Sequence, residues 1–226
     1  MSHAMSDARE RVLARVRHAL GPRDGSAAAR ARAEDYLATH AQGPRPTLPP
    51  DLVTRFMQRA RDMESTVERI ESVDAIPTHV ARYLDALRLP PALAAQQSHA
   101  GVCWPEFAAL DWAAAGLTIE ARPTLGDDRL GITSAFCGIA ETGTLVILSG
   151  ADTPTATTLL PDTHIAVLRA DRIVAGMEEA FALIARERGR LPRAVNLISG
   201  PSRTGDIEQT IVLGAHGPFR VHILVV

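Results

Sequence analysis

The sequence predicts an α/β fold built on a mostly parallel sheet with helices on both faces, preceded by an N-terminal helical extension. Three observations predict it. Apolar runs such as Thr144–Leu148, His164–Leu168 and Val221–Val226 lack the in–out alternation of a half-solvated sheet, so they read as strands buried on both sides. Stretches of helical periodicity separate such runs, as parallel crossovers require. The 226 residues, 46% of them hydrophobic, suffice for one sizeable core without staples.

The first fifty residues read differently from the rest. Residues 6–20 form an amphipathic helix, with Ser6 as cap, Val12, Leu13, Val16 and Leu20 as its stripe, and Gly21-Pro22 as its stop. Residues 27–39 form a second short helix. Gly43-Pro44-Arg45-Pro46 and Pro49-Pro50 then mark an extended linker. Residues 1–50 are expected to be a helical arm and linker, and residues 51–226 the α/β domain.

Asp51 begins a longer helix, with Leu52, Phe56, Met63, Val67 and Ile70 near one face. Ser72–Ala75 reads as a short extended connection, and Thr78 as the cap of a helix running through Leu87. Pro90–Gln96 is expected as a buried strand, Pro105–Trp112 as a helix with Trp104 and Trp112 as core anchors, and Leu117–Ala121 as a strand. Strands follow at Gly131–Ile139, Thr144–Leu148 and His164–Leu168. Asp171–Arg186 is a helix with Ile173, Val174, Met177, Ala180, Phe181 and Ile184 on its apolar side. Val195–Ser199 is a strand, Gly205–Leu213 a helix, and Val221–Val226 the closing strand.

Composition excludes several chemistries. All 24 basic residues are Arg, so no Schiff-base lysine and no P-loop lysine exists. A formal net charge of -2 gives no bulk attraction to nucleic acid or an acidic membrane. Cys103 and Cys137 fit neither a zinc nor an iron–sulfur spacing, so no metal or bound cofactor is expected. Two cysteines also make no disulfide framework. The N-terminus lacks the apolar run of a signal peptide, and no stretch reaches membrane-spanning length, so a cytoplasmic protein without membrane insertion is expected.

Three loops carry candidate chemistry, because ligands gather at the carboxyl ends of strands in open α/β sheets. The first is Gly138-Ile139-Ala140-Glu141-Thr142-Gly143-Thr144, where Glu141 is an isolated carboxylate among small residues. It suits a base, a nucleophile or a hydrogen-bond acceptor, with Thr142, Gly143 and Thr144 contacting ligand. The alternative is a tight turn whose polar groups satisfy the backbone. The second is Ser199-Gly200-Pro201-Ser202-Arg203-Thr204-Gly205-Asp206-Ile207-Glu208, read as a strand-to-helix turn. Free N–H groups at a helix start, two hydroxyls and Arg203 suit a small carboxylate or phosphate. Asp206 and Glu208 in a first helical turn would oppose a second anion. The third is Gly214-Ala215-His216-Gly217-Pro218, where His216 can shuttle protons or merely bond a neighbouring loop. His164 reads as structural, and Cys137 as a buried thiol.

These segments, in this order, resemble a known family. Gly131-Ile132-Thr133, the Gly138–Thr144 turn, Leu159-Leu160-Pro161, the Gly200–Glu208 loop and Gly214–Pro218 together look like the lactate utilization protein C family of LUD-domain proteins. The resemblance implies a fold similar to glucosamine-6-phosphate deaminase, ribose-5-phosphate isomerase and the CoA transferases. It also implies a place in the oxidation of L-lactate to pyruvate beside two iron–sulfur proteins. With two cysteines the chain would be a non-redox accessory subunit of that system. The competing expectation is a stand-alone transferase or isomerase using Glu141 on a CoA thioester or sugar phosphate. The likeness departs at Thr153–Thr158, where many relatives carry Arg, and at Gly205, where relatives often have Ala.

Overall fold

The protein is described by a computed structural model covering residues 2–21, 25–39, 43–87, 99–207 and 210–226. It divides into two compact units, Met1–Arg45 and Pro46–Val226. The first holds α1 (Ser2–Leu20) and α2 (Ala27–Thr39). The α1 helix starts four residues before Ser6, so Ser6 does not cap it. Val12, Val16 and Leu20 of its stripe are exposed. The Pro-rich segment after α2 is extended, as expected.

The second unit is built on a six-stranded parallel sheet. Its strands are β1 (Thr66–Arg69), β2 (Ala100–Cys103), β3 (Thr118–Ala121), β4 (Leu130–Ser134), β7 (Thr163–Leu168) and β12 (Arg220–Val225). They lie in the order β1-β12-β7-β4-β2-β3. A second sheet holds β5 (Cys137–Ile139), β6 (Thr144–Leu148), β8 (Ile173–Val174) and β9 (Val195–Ile198), ordered β8-β5-β6-β9. A separate hairpin joins β10 (Arg203–Ile207) to β11 (Thr210–Leu213).

Burial on both faces explains the continuous apolar strands. On one face α4 (Ile76–Ala86) packs Ile76, Val80 and Leu84 against Leu130, Ile132, Ile165, Val167 and Leu224. On the other, Phe56 and Ala60 of α3 (Leu52–Asp62) and Leu145 and Ile147 of β6 meet Ala166, Leu168, Val221 and Ile223. That face is therefore covered by one helix and by the second sheet. The outer side of the second sheet packs Cys137, Ile139, Val146 and Leu148 on Ala180, Leu183 and Ile184 of α5 (Met177–Arg188).

Several expected elements differ. The helix begun by Asp51, whose Oδ1 accepts from Thr54 N at 3.0 Å, stops at Asp62. Glu64 takes a left-handed φ of 66°, and Val67 lies in β1, an edge strand. Apolar residues three or four apart fit both a helix and this helix–turn–strand. Val73–Ala75 is a 3-10 turn, and Pro77 rather than Thr78 opens α4. Pro105–Phe107 and Ala113–Ala115 are two 3-10 turns in place of one helix. The Gly131–Ile139 run is two strands in two sheets: Ala135 N still donates to Val167 O, but Phe136 N donates to Val146 O. Ile173 and Val174 form β8, and α5 starts only at Met177. Gly205–Leu213 is a hairpin and not a helix. Its Thr, Ile and Val content favours strands. Pro90–Gln96 lies outside the described residues, and β2 was not expected.

Two histidines are locked in the parallel sheet. His164 is fully buried, and its Nε2 bonds the Thr133 hydroxyl at 2.8 Å while Nδ1 has no partner among the described residues. His222 meets the Thr66 hydroxyl at 2.8 Å and stacks on Tyr83 at 4.0 Å, tying β12 to β1 and α4. Burial pushes His164 down to about 4. Burial also holds His222 down to about 4, against the nearby Glu68 carboxylate. Between the ordinary value of 6.5 and about 4, the unfolded chain takes up protons that the folded chain refuses. Stability therefore rises with pH across this window and falls as pH drops through it, by up to about 3 kcal/mol per histidine. Urea unfolding of the wild type between pH 7 and pH 4.5 is expected to show that fall, and His164→Gln or His222→Gln to make it shallower. An unchanged slope in the double variant would refute the assignment.

Candidate functional site

Of the three loops singled out in the sequence, the two with Gly143 and Gly200 pack on the C-terminal turn of α3, and the third is bonded to the second through Ser202, so that they form one row. Antiparallel pairing of β6 with β9 sets Leu145 opposite Ile198, which brings Thr144 beside Ser199. Their hydroxyls bond at 2.6 Å, and Thr142 extends the chain to Thr144 at 2.6 Å. Ser202 links the second loop to the third. Its N–H donates to Pro218 O at 2.9 Å, its carbonyl accepts from Gly214 N at 2.9 Å, and its hydroxyl accepts from His216 N at 3.2 Å.

The glycines in these loops serve close packing. Gly143 has φ +71°, and a Cβ there would lie 2.3 Å from Ala60 N. Gly200 has φ +84°, and a Cβ would lie 2.0 Å from Met63 O. Both turns thus press directly on the α3 backbone. Gly217 sits over Ser202, where a Cβ would come within 3.3 Å of the serine side chain.

The charged members divide. Glu141 stands in the four-residue turn between β5 and β6, held by its N–H to Ala175 O at 3.0 Å. Its half-buried carboxylate makes no hydrogen bond or ion pair with a described residue. Arg203 is committed: it bonds Glu64 at 2.8 Å and Met63 O at 3.2 Å. It anchors the loop to α3 and is not an unoccupied anion receptor. Thr204 and Asp206 lie on β10, so the helix start invoked for anion binding does not exist. Glu208 lies outside the described residues. Pro201 is half-buried at the turn, and the His216 side chain is exposed. No hydrogen bond joins Glu141 to His216; they belong to opposite ends of the row.

A cavity that sequence reasoning did not single out lies elsewhere, at the carboxyl ends of β2, β4 and β6. Its volume is about 430 Å³, and its wall includes Trp104, Ser134, Phe136, Thr153, Arg188 and Arg190. It opens where the chain leaves the parallel sheet at Ser134 and enters the second sheet at Phe136. Trp104 Nε1 donates to Pro154 O at 3.3 Å, and the Thr153 hydroxyl donates to Leu148 O at 2.8 Å, which fixes the loop after β6. The Ser134 hydroxyl donates to Glu106 at 2.5 Å. The turn with Glu141 begins β6 and the cavity ends it, about 13 Å apart along a strand of this length. Its one signal in the sequence is the carboxyl-end rule combined with Arg188 and Arg190, which lie just beyond the helix expected to end at Arg186.

The LUD domain family profile matches residues 105–226. The chain belongs to the LUD domain family. Lactate utilization protein C of Deinococcus radiodurans is 34% identical over 193 residues, covering 81% of this chain and 89% of that protein. Lactate utilization protein C of Halalkalibacterium halodurans is 41% identical over 100 residues, and the match spans only 44% of its length. The crystal structure of a DUF162 family protein from Deinococcus radiodurans shares the fold, with a TM-score of 0.54 at 23% identity over 80% of this chain and 99% of that one. Both the row of loops and the cavity contain residues of the matched LUD region, and the α3 turn that seats the row precedes it.

The packing of the LUD loops on α3 is testable. Gly143→Ala and Gly200→Ala each combine a left-handed backbone with a backbone collision, and each is expected to cost about 2 kcal/mol or more. Gly116→Ala shares the positive φ of +73° but meets nothing within 4 Å, and is expected to cost about 1 kcal/mol. Equal losses for all three in chemical denaturation would show that backbone strain alone, and not seating on α3, fixes these turns.

Proposed function

We propose that this protein acts in lactate utilization, as an accessory subunit without a redox centre of its own that works with iron–sulfur partner proteins in the oxidation of L-lactate to pyruvate. The observation that carries the reading is the 34% identity with a lactate utilization protein C over most of both chains. The cysteine chemistry supports it. Cys103 and Cys137 are both buried, on β2 and β5, and burial pushes each thiol up to about 11. Two protonated thiols on separate strands do not make the set of thiolates that holds an iron–sulfur cluster. Electron transfer from lactate would then need partners that carry the cluster. Among the described residues no helix is long and apolar enough to cross a membrane, and the proposed place of action is the cytoplasm.

In this reading the row of loops contacts the partner proteins. The residues concerned are Glu141–Thr144, Gly200–Thr204 with Asp206, and His216-Gly217. A second reading is favoured by one feature, the unpartnered Glu141 carboxylate. It would serve as base or nucleophile of a transferase or isomerase acting on a CoA thioester or sugar phosphate. A covalent acyl adduct trapped on Glu141, absent from Glu141→Gln, would establish that chemistry.

The accessory-subunit reading is checked in the host. A strain lacking the gene is expected to lose growth on L-lactate while keeping growth on pyruvate. The tagged full-length chain, recovered from lactate-grown cells, is expected to bring down two cysteine-rich iron–sulfur proteins. Normal growth of the deletion strain on lactate would remove the lactate role. Recovery of the chain without such partners would remove the accessory role.

A further inference from the structure

The cavity at the carboxyl edge of the parallel sheet draws its cations and its hydroxyls from different elements. Arg188 and Arg190 come from the end of a helix and the turn after it, and neither makes a hydrogen bond or close ion pair with a described residue. Arg188 instead lies over the Phe136 ring at 5.8 Å, the ring that Arg172 also covers at 4.6 Å. Hydroxyls and acceptors come from the sheet: Ser134, bonded to Glu106, at the end of β4, and Asp152 and Thr153 in the loop after β6. Leu148, Leu191 and Pro192 supply apolar wall.

We propose that this cavity binds a hydroxyl-bearing organic oxyanion larger than lactate, with its anionic head on Arg188 and Arg190 and its hydroxyls toward Asp152, Ser134 and Thr153. Guanidinium groups present paired donors that match carboxylate and phosphate oxygens alike. Carboxylates facing an anion head would repel it, so Asp152 takes the far end, where it accepts from hydroxyls. Size favours a ligand larger than lactate: at water's share of about 30 Å³ each, the 430 Å³ cavity holds about 14 water molecules, well beyond the volume of lactate. The location fits the general rule that ligands enter open α/β sheets beyond the strand carboxyl ends. The site is independent of the lactate reading, which growth on lactate tests separately.

The head group has two possible sources, a phosphate ester or a carboxylate, and the experiment separates them. Isothermal titration of the full-length protein would use ribose 5-phosphate for the first, gluconate for the second, and L-lactate as the small comparator. Saturable binding of ribose 5-phosphate or of gluconate is expected, with the stronger of the two identifying the head. The double variant Arg188→Met/Arg190→Met is expected to weaken it by about tenfold or more. Both side chains are exposed, so the fold is expected to survive, and an unchanged thermal unfolding profile checks this. Arg186→Met removes a neighbouring cation that does not line the cavity, and is expected to leave affinity within about twofold. Ser134→Ala is expected to weaken binding without altering the preference for head group. The proposal is overturned if neither large probe saturates, if lactate binds as tightly as they do, or if Arg186→Met weakens binding as much as the double variant.

Discussion

The C-terminal turn of α3 is the seat on which the row of candidate loops rests. Ser65 N donates to Ala60 O and Glu64 N to Arg61 O, closing the helix with the paired bonds of a Schellman motif. That closure requires a left-handed residue, and here it is Glu64 instead of the usual glycine, at a backbone cost of roughly 1–2 kcal/mol. The side chain offsets part of this cost. Glu64 holds Arg203, which also caps the Met63 carbonyl, so the same turn ends a helix and anchors the start of the β10–β11 hairpin. Gly143 and Gly200 can then approach the α3 backbone from the second sheet. Ala60 and Phe56, fully buried one and two turns earlier, keep the helix pressed on both sheets.

A second constraint produces the cavity. Two residues, Ala135 and Phe136, carry the chain from the parallel sheet to the antiparallel one, and each makes its backbone bond to a different sheet. Neither can rotate without breaking a ladder. Phe136 is further clamped by Arg172, whose Nε donates to its carbonyl while the guanidinium covers its ring. The loop after β6, pinned at Ser149 to Ala194, supplies a further wall of the cavity beside this crossing. Backbone hydrogen bonds thus fix two of the segments that line it.

What was legible in the sequence follows from this geometry. Strands buried on two faces, β6, β7 and β12, were readable as apolar runs with their boundaries correct to about a residue. The fold class followed from them. The run from Gly131 to Ile139 was equally apolar, but apolarity does not record which sheet a residue joins, so the crossing at Phe136 stayed hidden. Val67 satisfied helical spacing by accident, because a strand beginning a few residues after a helix can place an apolar residue at a helical interval. The Gly205–Leu213 segment, expected as a helix, holds Thr204, Ile207, Thr210, Ile211 and Val212 in and beside it, which favour a strand. Glycines and polar residues mark the loop row in the sequence. Nothing comparable marks the cavity, because its cations come from the end of a helix and its hydroxyls from two separate strand ends.

Among the described residues Arg188 and Arg190 make no close ion pair with a carboxylate. In a chain without lysine every such cation is a planar fork, and several in the α/β unit are matched to a carboxylate: Arg122 to Asp128, Arg129 to Asp162, Arg172 to Glu187, Arg203 to Glu64. A helix C-terminus also stabilises a cation without a carboxylate, which accounts for Arg188 in the last turn of α5. It does not account for Arg190. The helix closes at Gly189, in the left-handed conformation, and the dipole's influence ends with the last turn. Arg190 lies beyond that point, in the wall of the cavity. An anion between Arg188 and Arg190 would give both the kind of partner that Arg122, Arg129, Arg172 and Arg203 already have.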